Sequence, residues 1–167
     1  GDNDSHYKLP KINSNYNELI DSDFFPFQKL SDQPIAMTAH VLFSKLDKEF
    51  PVTISRKIIK DIIREKIGFN GLLLSDDISN NMMALGNNEE KNAVNALNAG
   101  CDILLHCSGN LGSMQKLSLL LTEISNISLS RVFKAFDKLK NPVNIGYIDT
   151  LKDYEDTLKY VKKLIDK

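Results

Sequence analysis

Two short acidic motifs, far apart in a chain of 167 residues, carry side chains suited to acid–base and nucleophilic chemistry. Asp4-Ser5-His6 lies near the start, and Ser75-Asp76-Asp77 follows the apolar run Gly71-Leu72-Leu73-Leu74. An imidazole two residues from a carboxylate is a proton carrier with a partner at hand, able to give and take a proton near neutral pH. A carboxylate just past a buried strand stands on a rigid support beside an open loop, where α/β folds place their chemistry. The candidates are therefore His6 as acid/base, Asp4 as its partner and Asp76 as nucleophile. The remaining histidines, His40 and His106, also close apolar runs. His40 reads equally as a substrate-binding residue and as a structural histidine bonded to neighbouring loops; for His106 the structural reading is preferred. Ser75 lacks the Gly-x-Ser-x-Gly surroundings of an activated serine. Asp77 reads as a carboxylate that organises the loop.

The elements that must position these residues follow from the apolar pattern. Pro34-Ile35-Ala36-Met37-Thr38-Ala39-His40, Gly71 to Leu74 and Ile103-Leu104-Leu105 read as three short buried strands. Helical spacing of Ile58, Ile59, Ile62, Ile63 and Ile67 predicts a helix capped by Thr53 or Ser55 and stopped by Gly68. A second helix is expected from Asn87-Asn88-Glu89-Glu90 to Gly100. Others are expected over 111–124, over 129–139 with Val132, Phe133, Phe136 and Leu139 on one face, and over 150–166. Residues 1–22 read as polar and turn-rich. The acidic Asp21-Ser22-Asp23 offers caps before an aromatic cluster, Phe24 to Leu30, expected to pack on a core. Strand starts near 35, 71 and 102 suit successive βαβ units with parallel strands. The fold expected is α/β: a partial (β/α)₈ TIM barrel, its last strands and helices. A whole barrel takes about 250 residues. The expected division is a barrel portion over 1–140 and a C-terminal helical extension over 141–167.

Bulk properties narrow the partners. A net charge of −1 gives no electrostatic case for nucleic acid or an anionic membrane, and no apolar run is long enough to span a bilayer. Cys101 and Cys107 lie six residues apart, roughly 20 Å along a strand, too far for a disulfide. Reduced thiols and the lack of a basic-then-apolar leader pattern make a cytoplasmic location the expectation. The sequence opens inside an apparent loop, which suggests a fragment or one half of a split product.

Four blocks in order resemble glycoside hydrolase family 3, in particular its bacterial β-N-acetylhexosaminidases that recycle peptidoglycan. They are Asp4-Ser5-His6-x-x-Leu9-Pro10, Met37-Thr38-Ala39-His40, Gly68-Phe69-x-Gly71-x-x-x-Ser75-Asp76-Asp77 and Ala99-Gly100-Cys101-Asp102. The resemblance implies a retaining hydrolysis of terminal β-linked N-acetylglucosamine, with Asp76 as nucleophile and His6, oriented by Asp4, as acid/base. It implies a carbohydrate substrate and no metal or organic cofactor. This departs from the usual pair of carboxylates in glycosidases. The family's Lys-His sugar-binding motif and the acidic and Arg residues of earlier strands are absent, and the family's Leu-Ser-Met after the nucleophile motif is here Ile78-Ser79-Asn80. An isolated chain is therefore expected to be dead or very weak, and an upstream half of the same barrel is the expected partner. Two other readings stand beside this one. One is an inactive remnant that docks to that half through open strand edges. The other is a phosphate-accepting receiver-like domain, with Asp76 as acceptor and the acidic residues at 2, 4 and 21–23 holding Mg²⁺.

Overall fold

The computed structural model describes residues 3–79, 83–121, 123–139 and 147–165. Two parallel sheets organise it. The smaller pairs β1 (Lys11–Ile12) with β3 (Leu42–Phe43). The larger has three strands in the order β2 (Ile35–Met37), β4 (Leu72–Asp77), β5 (Ile103–Leu105), all parallel. Those three begin at the expected positions. The polar opening holds more structure than its composition suggested: β1 is followed by helix α1 (Tyr16–Asp21). Asn15 and Glu18 close a reciprocal capping box at its start, with both side chain–backbone bonds at 3.0 Å.

The aromatic cluster divides. Phe24 is buried and meets Phe43 edge-on at 5.6 Å, whereas Phe25 and Phe27, on helix α2 (Phe25–Lys29), are exposed. The acidic residues before it supply no side-chain cap; Pro26 in the first turn starts the helix instead.

Between β2 and β4 the chain runs through β3, a single tight turn at Val52–Ile54 and a helix at Ile58–Lys66. Ser55, not Thr53, caps that helix, accepting the Ile58 N–H at 3.1 Å. The isoleucine spacing predicted an ordinary helix, but the backbone winds wider, with bonds such as Ile67 N–H to Ile62 C=O at 2.7 Å, five residues back. Its isoleucines divide between two cores. Ile59 joins Phe69, Leu73, Ala96, Ala99 and Cys101 beneath the three-stranded sheet. Ile58 and Ile62 join Leu19, Phe24 and Val52 beneath the smaller one. Helix α3 (Glu89–Ala99) returns the chain to β5 and ends at Gly100, whose φ of 120° only glycine adopts without strain.

Helices α4 (Leu111–Leu120), α5 (Asn126–Asp137) and α6 (Tyr147–Ile165) follow. The first stops short of Ile124, and the second begins before Leu129. Asn141, Pro142 and Gly146, expected in a connection, lie outside the described residues. The stripe of Phe133, Phe136 and Leu139 on and just past α5 is exposed, as are Leu151, Tyr154, Leu158 and Val161 on α6. None of the described helices is long and apolar enough to cross a membrane.

Gly71 sits where β4 leaves the preceding turn beside β2. A Cβ there would lie 2.7 Å from the Pro34 carbonyl oxygen and 2.8 Å from that of Gln33. Backbone cannot yield as a side chain can, and Pro34 C=O accepts the Leu72 N–H that starts the pairing. Gly71→Ala is expected to destabilise the chain by about 1–3 kcal/mol, read as a lower urea midpoint at unchanged slope.

Candidate functional site

Asp4 and His6 meet directly. The His6 backbone N–H donates to Asp4 Oδ1 at 3.0 Å, and the His6 Nδ1 lies 2.8 Å from the same oxygen. Since the carboxylate only accepts, the hydrogen of this bond sits on Nδ1 and leaves Nε2 for exchange with a ligand. The His6 N–H first, and its ring second, hold the Asp4 carboxyl below its ordinary range. Tyr7 and Lys8 N–H both bond the Asp4 carbonyl, so a tight turn fixes the spacing. Ala84 N–H donates to the Ser5 carbonyl at 3.3 Å, tying this turn to the segment that follows β4.

Asp76 stands one residue from the end of β4, at an irregularity in the sheet. Leu74 pairs with Ile103 and Asp77 with Leu105, so three steps along β4 match two along β5. The extra residue makes a bulge at Ser75–Asp76, the device by which sheets re-aim a side chain. Ser75 closes the gap: fully buried, its Oγ accepts the Leu105 N–H at 3.0 Å. That bond explains Ser75 without a nucleophilic role. Asp76 is half-buried, and its Oδ1 accepts the next N–H, of Asp77, at 2.8 Å. Among the described residues no hydrogen bond joins Asp76 to His6.

Asp77 turns inward and organises the loop. Its Oδ1 accepts from the N–H groups of Ser79 at 3.0 Å and Cys107 at 2.9 Å, and its Oδ2 from the Ser79 hydroxyl at 2.7 Å. His40, named above as a substrate-binding candidate, is 1% exposed, with Nδ1 2.8 Å from the Thr53 hydroxyl and Nε2 2.7 Å from the Asp77 carbonyl. Both ring nitrogens are thus engaged within the protein. His106 is also enclosed, with Nε2 3.4 Å from Glu89 Oε2. Both cysteines are free. Burial pushes the Cys101 thiol up to about 12, so it stays protonated, with its Sγ 3.6 Å from the Thr53 carbonyl.

Sequence reasoning missed Asp102 as a structural centre. Its side chain is 2% exposed and bonded on every side: Arg64 at 2.9 Å, Arg131 at 2.8 Å, the Ser128 hydroxyl at 2.7 Å and the Leu73 N–H at 2.9 Å. Arg64 also reaches the carbonyls of Phe69 and Gly71. The available signal was an acidic residue opening an otherwise apolar strand; its partners lie 26 to 38 residues away.

Asp47, Asp77 and Asp102 share one electrostatic pattern. Burial alone would raise each carboxyl, but it is outweighed by hydrogen bonds, joined by Lys57 for Asp47, His106 for Asp77 and Arg131 for Asp102, and all three lie below the ordinary value of 3.8. A depressed folded pKa contributes stability that is fully present above the unfolded value and is lost as pH falls through the folded one. Urea midpoints are therefore expected to hold from neutral pH to about pH 5 and to fall below it. A midpoint that rises on acidification would contradict the assignment.

With this geometry in place, the lineage of the chain is plain. It belongs to glycoside hydrolase family 3: the glycosyl hydrolase family 3 N-terminal domain matches residues 1–141. A β-hexosaminidase of Haemophilus influenzae is 34% identical over 163 residues, covering 95% of this chain and 46% of the relative. The β-N-acetylglucosaminidase of Thermotoga maritima superposes with a TM-score of 0.66 at 33% identity, over 87% of this chain and 34% of that one. NagZ from Neisseria gonorrhoeae, in complex with N-trifluoroacetyl-D-glucosamine, gives a TM-score of 0.67 at 30% identity, over 80% and 38%. The chain thus spans less than half the length of each of these relatives.

Proposed function

We propose that this chain supplies the catalytic residues of a cytoplasmic, retaining β-N-acetylhexosaminidase acting on terminal N-acetylglucosamine of peptidoglycan-derived fragments. The observation that carries the reading is the preformed Asp4–His6 pair, on a turn tied through Ser5 to the segment leaving β4, the strand that presents Asp76. In the first step an Asp76 oxygen attacks the anomeric carbon while His6 Nε2–H protonates the departing glycosidic oxygen. The C–O bond to the aglycone breaks as the glycosyl ester forms. His6, now neutral, takes a proton from water; the hydroxyl oxygen attacks the same carbon, and Asp76 leaves as carboxylate. Two inversions return the original β configuration. Asp4 keeps the imidazole in one tautomer and stabilises its cationic form, the task a carboxylate performs in a serine-hydrolase triad.

Three strands in the larger sheet leave β2 as an edge, with Ile35 and Met37 exposed. An open apolar edge is a surface for another strand. In this reading the remaining barrel strands come from an upstream half, which also supplies the groups that grip the sugar. Turnover of an aryl N-acetyl-β-D-glucosaminide is the test, by the chain alone and with the preceding barrel half of the H. influenzae relative added. Little turnover alone and clear turnover in the assembled pair are expected. An assembled pair without turnover would overturn the reading, and full activity of the isolated chain would overturn the need for a second half.

A further inference from the structure

One buried hydrogen-bonded chain grips the two-residue segment Asp76–Asp77 at both ends. At one end, the Asp76 N–H donates to the Thr38 hydroxyl at 3.2 Å. At the other, the Asp77 carbonyl lies 2.7 Å from His40 Nε2. Between them, Thr38 Oγ1 lies 3.0 Å from Thr53 Oγ1, which lies 2.8 Å from His40 Nδ1. Thr38, Thr53 and His40 are all at most 3% exposed. A carbonyl only accepts, so Nε2 of His40 carries a hydrogen, and in the neutral imidazole Nδ1 is then the acceptor. Thr53 then donates to Nδ1 and accepts from Thr38, and Thr38 accepts from Asp76. Every hydroxyl both gives and receives, and the chain has one direction.

We infer that Thr38, Thr53 and His40 are positioning residues that aim the Asp76 carboxylate. Between the two gripped groups lies the Asp77 N–H that bonds Asp76 Oδ1 at 2.8 Å, so fixing the backbone on both sides of it holds the carboxylate. The clamp answers a need created by the bulge. With Ser75–Asp76 out of regular register, the sheet ladder no longer sets the backbone there, and side chains from β2's exit and the Val52–Ile54 turn set it instead. Asp76's use as a nucleophile rests on the function proposed above; the clamp itself does not.

The test reads geometry and rate separately. Imidazole ¹⁵N NMR on the intact chain should show His40 with its hydrogen on Nε2, and side-chain couplings should show Asp76 in one rotamer. Thr38→Val, which keeps shape and removes the hydroxyl, should leave the Asp76 rotamer averaged. Thr38→Ser should restore it. In the assembled enzyme, Thr38→Val should lower kcat by roughly 10- to 100-fold with KM little changed, as expected for a misplaced reacting group, and Thr38→Ser should recover most of it. A hydrogen on Nδ1 of His40 overturns the inference in the unmutated chain, even if Thr38→Val does not fold. A single Asp76 rotamer in folded Thr38→Val also overturns it. If Asp76→Asn keeps its activity while these geometric results hold, the catalytic reading fails and the clamp stands.

Discussion

Asp76→Asn in the assembled enzyme is expected to lower kcat by about 10⁴-fold or more, the scale seen when a covalent nucleophile's machinery is removed. The amide matches the carboxylate in size, and one oxygen remains to accept the Asp77 N–H that Asp76 Oδ1 now receives at 2.8 Å. The fold and the bulge should therefore survive, and the loss should fall on kcat. His6→Gln acts differently: it removes proton transfer, worth about 10²- to 10⁴-fold, and leaves the nucleophile. An aryl glycoside whose leaving group departs without protonation should thus lose less on His6→Gln than one with a poor leaving group. The two variants together separate attack on the anomeric carbon from protonation of the departing oxygen.

Asp102→Ala is expected to be the most destabilising single change among those considered, by about 3–5 kcal/mol, because it strands two guanidinium groups that remain largely buried. Arg64 and Arg131 both end on this carboxylate, and so do the Ser128 hydroxyl and the Leu73 N–H. Three parts of the fold meet there: the wide helix through Arg64, β4 through Leu73 and α5 through Ser128 and Arg131. Removing Arg131 alone should cost much less, since Asp102 keeps Arg64 and both neutral donors. The measurement is urea denaturation followed by circular dichroism. An Asp102→Ala chain as stable as the parent would show that the arginines find other partners.

Strand positions were legible because parallel strands read as uninterrupted apolar runs bounded by glycine or proline, as at Pro34 and Gly71, although β2, expected to be buried, leaves Ile35 and Met37 exposed. The Asp4–His6 pairing was legible from a spacing of two. What the sequence concealed depends on contacts between distant segments. The bulge at Ser75–Asp76 exists only relative to β5, almost 30 residues on. Thr53 read as a helix cap because threonine before an isoleucine run ordinarily is one. Its hydroxyl instead faces Thr38 and His40, which only the fold brings near. Phe133 and Phe136 show another limit: helical spacing reveals which face is apolar, not whether anything covers it.

Trapping the covalent glycosyl intermediate would show directly which residue attacks the sugar. The assembled enzyme would be treated with a fluorinated N-acetylglucosaminyl donor that reacts quickly and hydrolyses slowly, then digested for mass spectrometry. One sugar ester is expected on the peptide carrying Asp76, and none in Asp76→Asn. Turnover with no ester, or an ester on another residue, would contradict it.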